Sequence, residues 1–441
     1  MISPLTPCNP EHEGSTGIGV RDRTCGIVKP KRGSWARPGH RSEGTPDGPW
    51  SRPTTKVEGV IMVVLDPAQL RIGDEGNSDT ALLSDAVRWM REERDRMLGF
   101  PVNLDFDCRP LTDFLAVHAN NVGNPREESM YRIDTKPFEV AVLDFFVDLA
   151  GGEQGKVFGY VTSGGTEGNT FAVWVARERY PDAVLYASAE AHYSLPKLAR
   201  LLRMPYVAVE TRADGTMDTT ALVRELARHP GRAAVVTATI GTTGRGAVDD
   251  LPGVRRALAM AEVERTWVHA DAAFGGLLAE FADEPIPWNL ASGADSVTMS
   301  GHKVVGCPVP CGVVLVPEVD VVNIRAEGVA VGSDDDTITG SRNALAPALL
   351  WYELRSLGRH GLADRARKCH RTAAYAQREL AALGRHPTRA RGGTIVLFDA
   401  PSSDFCRRWH LVRDESHAAL VVMPHVTEQH IDRLCEELAA G

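Results

Sequence analysis

Lys303 stands beside His302 in the stretch 300–312, "SGHKVVGCPVPCG", between the apolar runs "DSVTM" (295–299) and "VVLV" (313–316). A lysine is seldom buried without a partner. One that is desolvated near donors or cations has a lowered pKa and can form a Schiff base with a carbonyl. Asp271 closes another apolar run, "TWVHAD" (266–271), and leads into "AAFGG". A carboxylate there needs a cationic or hydrogen-bonding partner, or it protonates; a protonated ring nitrogen on a ligand would serve. A third signal is "GGTEGN" (164–169), which follows "VFGYVTS" (157–163) and opens a helical stretch. Its glycines allow close backbone approach, the helix start offers free N–H groups, and Thr166 adds a hydroxyl, a set able to hold phosphate. Taken alone it also fits a tight turn with a helix cap. It is neither a Walker loop nor a Rossmann fingerprint.

The elements that must position these residues alternate. Apolar runs at 157–163, 183–188, 206–210, 233–240, 266–271, 295–300 and 312–316 predict strands, and 167–179, 194–203, 219–228 and 251–262 predict the helices between most of them. That alternation argues for an α/β fold with a mainly parallel sheet covered by helices on both faces. Before it, 78–100 has helical spacing, with Leu82, Leu83, Ala86, Trp89 and Met90 on one face and Ser78 as its cap, and 138–150 reads as a second amphipathic helix. After it, 343–382 reads as a long helix and a further one, followed by strands at 394–400 and 418–424, a helix near 403–410 and a closing helix. The division expected is 1–60 as a disordered extension rich in Gly, Pro, Arg and Ser, 61–130 as a helical arm, 131–330 as the large domain, and 331–441 as a small α+β domain.

In a parallel α/β sheet, ligands bind beyond the carboxyl ends of the strands. Read there together, the phosphate cradle, the carboxylate of Asp271 and the amine of Lys303 describe a site for pyridoxal 5′-phosphate (PLP), which needs a Schiff-base lysine and an acidic partner for its pyridinium nitrogen. His192 in "AEAHYS" and Thr242 in "GTTGRG" also follow strands, although a lone histidine is more often structural.

Metal is not expected. Cys307 and Cys311 with His302 lack the tight repeated spacing of zinc sites, and His269-x-Asp271, although on one face of a strand, has no third ligand. The eight cysteines are scattered and read as reduced thiols of a cytoplasmic protein. The formal net charge of −9 argues against nucleic-acid or anionic-membrane partners. No run reaches the roughly 20 apolar residues of a membrane span. The opening "MISPLTPCNPEHEG" lacks a secretory pattern, and "MVVLDPAQL" at Met62 offers an alternative start.

"TSGGTEGN", "AHYS", "HADAAFGG" and "SGHKVVGCPVPCGVV" resemble the corresponding segments of PLP-dependent group II amino-acid decarboxylases, above all the bacterial histidine and plant serine decarboxylases. The likeness runs from "GFPVNLDFD" (99–107) and "NNVGNPREESMY" (120–131) to "TITGSRN" (337–343) and "VVMPHVT" (421–427), covering about residues 80 to 438. It implies the fold-type I architecture, with a seven-stranded large-domain sheet, and a homodimer with its site at the subunit interface. It further implies that Lys303 carries PLP covalently, that Asp271 pairs with the pyridinium nitrogen, and that His192 stacks on the ring near the substrate carboxylate. Gly165, Thr166, Ser300 and His302 would hold the phosphate, and Thr242 would lie near the cofactor.

The implied reaction is removal of the α-carboxylate of an L-amino acid as CO2, leaving a primary amine, with histidine to histamine as the first expectation. Two departures bear on the substrate. Relatives read "SRNGH" where this chain has "SRNALAP", so Ala344 and Leu345 replace glycine and histidine; Ala330 stands near a position that is commonly tyrosine. Losing a polar partner can change substrate preference strongly, which leaves serine or another small or apolar amino acid as the alternative; the changes also fit packing variation. Transamination is a further alternative, with Arg342 as the cation to grip a carboxylate, and a non-catalytic descendant is another.

Overall fold

The computed structural model describes residues 70–72, 76, 79–284, 286–328 and 331–440. The expectations for 1–60, for Met62, for the Ser78 cap and for Ala330 lie outside them. Helix α1 (Thr80–Arg94) is capped by Asp79, whose carboxylate accepts from Leu82 N at 2.9 Å. It is shorter than its spacing predicts and leaves Leu83, Val87 and Met90 exposed. Helix α2 (Lys136–Leu149) buries Val142, Leu143, Phe146 and Val147 against the sheet.

All seven predicted apolar runs form strands: β1 (Val157–Thr162), β2 (Val184–Ser188), β3 (Tyr206–Val209), β4 (Ala234–Thr239), β5 (Thr266–Asp271), β6 (Ser296–Ser300) and β7 (Gly312–Pro317). They make one sheet in the order β1-β7-β6-β5-β4-β2-β3. Strands β3, β2, β4, β5 and β6 run parallel, whereas β7 is antiparallel to both β6 and β1. The reason is the connection: 301–311 is too short for the crossover that a parallel return requires, so the chain turns back on itself at Lys303.

Helices α3 (Gly165–Arg179), α4 (Ser194–Leu201), α5 (Thr219–Ala227) and α6 (Leu251–Met260) cover the sheet, with short α7 (Gly276–Glu280) and α8 (Glu318–Val321) at its margins. Strand alternation divides the core between the faces. Val268, Ala270, Val313 and Leu315 pack with α2, α5 and α6; Trp267, Val314 and Val316 pack with Phe171 of α3 and Leu195 of α4.

Helix α9 (Leu345–Ala382) spans 38 residues but breaks at Gly358, where φ 60° and ψ −177° divide it into the two helices expected. The remainder is β8 (Thr388–Arg389), β9 (Ile395–Asp399), α10 (Ser403–Arg408), β10 (Val412–Arg413), β11 (His417–Val421) and α11 (Glu428–Ala440). Its four strands form an antiparallel sheet in the order β10-β11-β9-β8. The two-residue strands β8 and β10 are too short for any periodic signal. Among the described residues no helix is long and apolar enough to cross a membrane.

Candidate active site

Lys303 sits in a wide turn, Gly301–Val305, that leaves the end of β6, and its ψ of −108° breaks the helical path there. Gly301 is required by space: a Cβ would come within 2.7 Å of Cys311 Sγ and 3.0 Å of Leu350 Cδ1. The turn is held from outside. Asn103 Nδ2 donates to the carbonyl of Val304 at 3.1 Å, and Arg365 Nη1 donates to that of Val305 at 2.6 Å. No hydrogen bond to Lys303 Nζ is made among the described residues, and the amine lies 6.0 Å from the Phe274 ring centroid. The side chain is half-buried at the surface but closely surrounded by protein. That desolvation holds its pKa below the usual lysine value, against the opposing pull of Asp271.

Asp271 ends β5 and is buried. Its Oδ2 accepts from Asn169 Nδ2 at 2.7 Å, and its Oδ1 accepts from Ala273 N at 3.2 Å. In the sheet register it lies between Thr239 and Thr298, whose buried hydroxyls have no partner.

The start of α3 meets the Lys303 turn. Gly164 has φ 147°, a backbone that side chains rarely adopt. A Cβ on Gly165 would lie 2.9 Å from Ala273 Cβ and 3.1 Å from Ser300 Oγ, and one on Gly164 would lie 3.8 Å from His302 Cε1. Gly164, Gly165, Ser300 and His302 therefore surround one space, which the first amides of α3 face without helical acceptors. Ser300 Oγ is buried with no hydrogen-bond partner. An orphaned hydroxyl beside unpaired helix-start amides, within reach of a desolvated lysine and a buried carboxylate, fits the phosphate, aldehyde and ring nitrogen of PLP. Thr166 is exposed on the same helix turn.

His192 Nδ1 accepts from Ser194 Oγ at 2.7 Å and from Ser194 N at 3.2 Å. A backbone amide only donates, so the neutral ring carries its proton on Nε2. Burial lowers the His192 pKa, the Asp271 carboxylate opposes this, and Lys303 reinforces it. Thr242 is buried, and its Oγ1 accepts from Ala247 N at 3.1 Å within its own loop. His302 Nδ1 lies 2.8 Å from the Cys311 carbonyl. No cluster of three or more metal-ligating side chains occurs among the described residues.

Arg342 is buried and already engaged. It pairs with the buried Glu139 and donates to Gly123 O at 3.0 Å. Its guanidinium is thus committed to structure, which removes the arginine that the transamination alternative called upon. Asn103, Asn169 and Arg365 also support the site; Asn103 and Asn169 lie inside "GFPVNLDFD" and "GGTEGN", which by themselves assign them no role, and Arg365 lies in no motif. For Asn169 the hint is its place one turn into the helix that begins with the cradle.

Residues 174–390 match the family described as the pyridoxal-dependent decarboxylase conserved domain. The histidine decarboxylase of Mesorhizobium japonicum is 38% identical over 362 residues, covering 82% of this chain and 98% of the relative. The chain belongs to the pyridoxal-dependent decarboxylases. It is a PLP-dependent amino-acid decarboxylase, a carboxy-lyase. The serine decarboxylase 1 of Oryza sativa subsp. japonica is 37% identical over 370 residues, covering 83% of this decarboxylase and 77% of the plant enzyme. In fold the decarboxylase is similar to the solved L-methionine decarboxylase of Streptomyces sp. 590, with a TM-score of 0.78 at 24% identity, over 85% of this chain and 98% of that one.

Proposed function

We propose that this enzyme decarboxylates L-histidine to histamine, with Lys303 as the covalent anchor of PLP. The observation that carries the site assignment is the convergence of Lys303, Asp271 and the α3 start at the carboxyl end of one sheet. When bound, PLP supplies an electron sink for the carbanion left as CO2 departs. The protein's own part is positional. Lys303, whose pKa desolvation lowers, is the amine that would hold the cofactor. Asp271 would keep the ring nitrogen protonated, which a neutral partner could not do. Gly165, Thr166, Ser300 and His302 would bind the phosphate, and Thr242 would lie near the cofactor. His192, with its proton on Nε2, would stack on the ring near the substrate carboxylate, where it could orient that carboxylate or return a proton to Cα. With Arg342 committed to Glu139, that guanidinium is not free to grip the substrate carboxylate, which favours its loss as neutral CO2.

Histidine rests on the similarity to histidine decarboxylases; serine is the second reading, on the similarity to the plant enzymes. Ala344 is buried with its carbonyl bonded to Thr135 Oγ1 at 2.6 Å, and Leu345 packs on the core, which supports packing variation at these two departures. We further propose a cytoplasmic homodimer, with the large domain at 131–330 and the small domain at 331–441. The exposed Leu83, Val87 and Met90 of α1 and the exposed Met130 and Ile133 are apolar surface that a second copy would cover.

The test is CO2 release and amine formation by PLP-loaded protein across the common amino acids. Turnover of histidine alone supports the reading; turnover of serine or another amino acid in its place replaces the substrate; pyridoxamine phosphate with keto acid and no CO2 overturns decarboxylation of these substrates in favour of transamination at the same site.

A further inference from the structure

Trp267, His269 and Asp271 are alternate residues of β5, so their side chains leave the same face of the sheet, the one covered by α3. They are joined by a chain of hydrogen bonds through buried side chains. Trp267 Nε1 donates to Ser296 Oγ at 2.8 Å, Ser296 Oγ lies 2.9 Å from His269 Nδ1, His269 Nε2 lies 3.0 Å from Asn169 Oδ1, and Asn169 Nδ2 donates to Asp271 Oδ2 at 2.7 Å. Each of the five residues is at most 5% exposed.

The direction of this chain is fixed at both ends. An indole N–H only donates, and a carboxylate only accepts. Asn169 must therefore turn its amide nitrogen to Asp271 and its oxygen to His269, and His269 Nε2 must donate. Burial pushes the His269 pKa down to about 4, so the ring is neutral at pH 7 and its Nδ1 accepts from the Ser296 hydroxyl. Every member has one role, and none is free to reverse without breaking the rest. Both ring nitrogens of His269 are taken, which also answers the metal alternative for His269-x-Asp271.

We propose that His269, Ser296 and Asn169 are positioning residues that fix Asp271 Oδ2 and thereby aim Oδ1 at the protonated ring nitrogen of PLP. This rests on the reading that Asp271 faces that nitrogen. Oδ1 is held only by the longer bond from Ala273 N, and the flanking Thr239 and Thr298 hydroxyls bond nothing, so Asn169 is the short fixed donor that orients the carboxylate. Without Ser296, His269 can move its proton to Nδ1. Its Nε2 then faces the Asn169 oxygen with a lone pair, the amide turns over, and Asp271 loses its donor.

The experiment uses the holoenzyme loaded with PLP labelled with 15N in the ring, comparing wild type with His269→Phe, Ser296→Ala, His269→Gln and Asp271→Asn. Two quantities are read at pH 7: the ring-nitrogen 15N shift and the PLP dissociation constant. Asp271→Asn should move the resonance to the unprotonated position. Ser296→Ala and His269→Phe should move it part of the way and weaken PLP about tenfold, the worth of one hydrogen bond to a charged group. His269→Gln, whose amide N–H can replace Nε2–H, should restore much of both. If Ser296→Ala and His269→Phe keep the wild-type shift and affinity while Asp271→Asn changes both, the relay is overturned and the role of Asp271 stands. If Asp271→Asn also keeps the wild-type shift, the role of Asp271 falls and the relay with it. Should His269→Phe fail to fold, the single-atom deletion Ser296→Ala decides alone.

Discussion

Asn103 Nδ2 donates to the carbonyl of Val304, the residue after Lys303, at 3.1 Å, and Asn103 Oδ1 accepts from Asp105 N at 2.9 Å. A buried side chain two hundred positions upstream thus holds the turn on which the reactive amine sits. Asn103→Ala should leave the Val304 carbonyl unpaired and destabilise the protein by about 1–3 kcal/mol. Urea unfolding measures this, and faster PLP loss should accompany it; unchanged stability would remove Asn103 from the support of the turn.

Lys303→Ala should bind PLP without covalent attachment and release no CO2 from any amino acid. Absorbance of the imine and product analysis check it. An intact imine in the variant would assign the linkage to another amine.

Gly165→Ala puts a methyl group where 2.9 Å to Ala273 Cβ and 3.1 Å to Ser300 Oγ leave no room. The backbone there is helical, so the fold should survive while PLP affinity falls by about tenfold or more, about 1.4 kcal/mol. Equilibrium dialysis decides; wild-type affinity would mean that the phosphate sits elsewhere.

His269 links stability to pH. Its folded pKa of about 4 lies below the ordinary 6.5, so between those values the unfolded chain binds a proton that the folded chain does not. Stability therefore falls as pH drops through this window, by about 3 kcal/mol from this group. His269→Phe cannot take up that proton. Its stability deficit relative to wild type, measured by urea unfolding, should shrink by about that amount between pH 7 and pH 4; a constant deficit would mean that the ring is not buried neutral.

Arg342 and Glu139 form a buried pair, with Asn121 Nδ2 and Val161 N also donating to Glu139 at 2.8 Å. Arg342→Leu strands that carboxylate and should lower stability by about 3–5 kcal/mol. The double change Arg342→Leu with Glu139→Gln should recover part of the loss. Equal melting temperatures for wild type and Arg342→Leu would show that the pair carries no structural load.

The sequence by itself determined the strands, the helices between them and the three chemical groups on which the proposed site draws. These are local properties: a run of apolar residues with β propensity, a glycine pair before a helix, and a lysine or carboxylate at the end of a buried run are all visible within a few residues. Tertiary structure alone decided the rest. The short 301–311 connection forces an antiparallel β7, but its place between β1 and β6 is set by packing, and only packing pairs Arg342 with Glu139 rather than leaving it to clamp a carboxylate. Asn103 and Asn169 lie inside "GFPVNLDFD" and "GGTEGN" and Arg365 lies in neither, but the partners of all three stay hidden, because a hydrogen bond across sixty or more residues has no sequence period. His269 shows the boundary between the two. Its shared face with Asp271 follows from strand alternation, but its partners Ser296 and Asn169 come from a neighbouring strand and the covering helix, and only packing brings them within 3.0 Å.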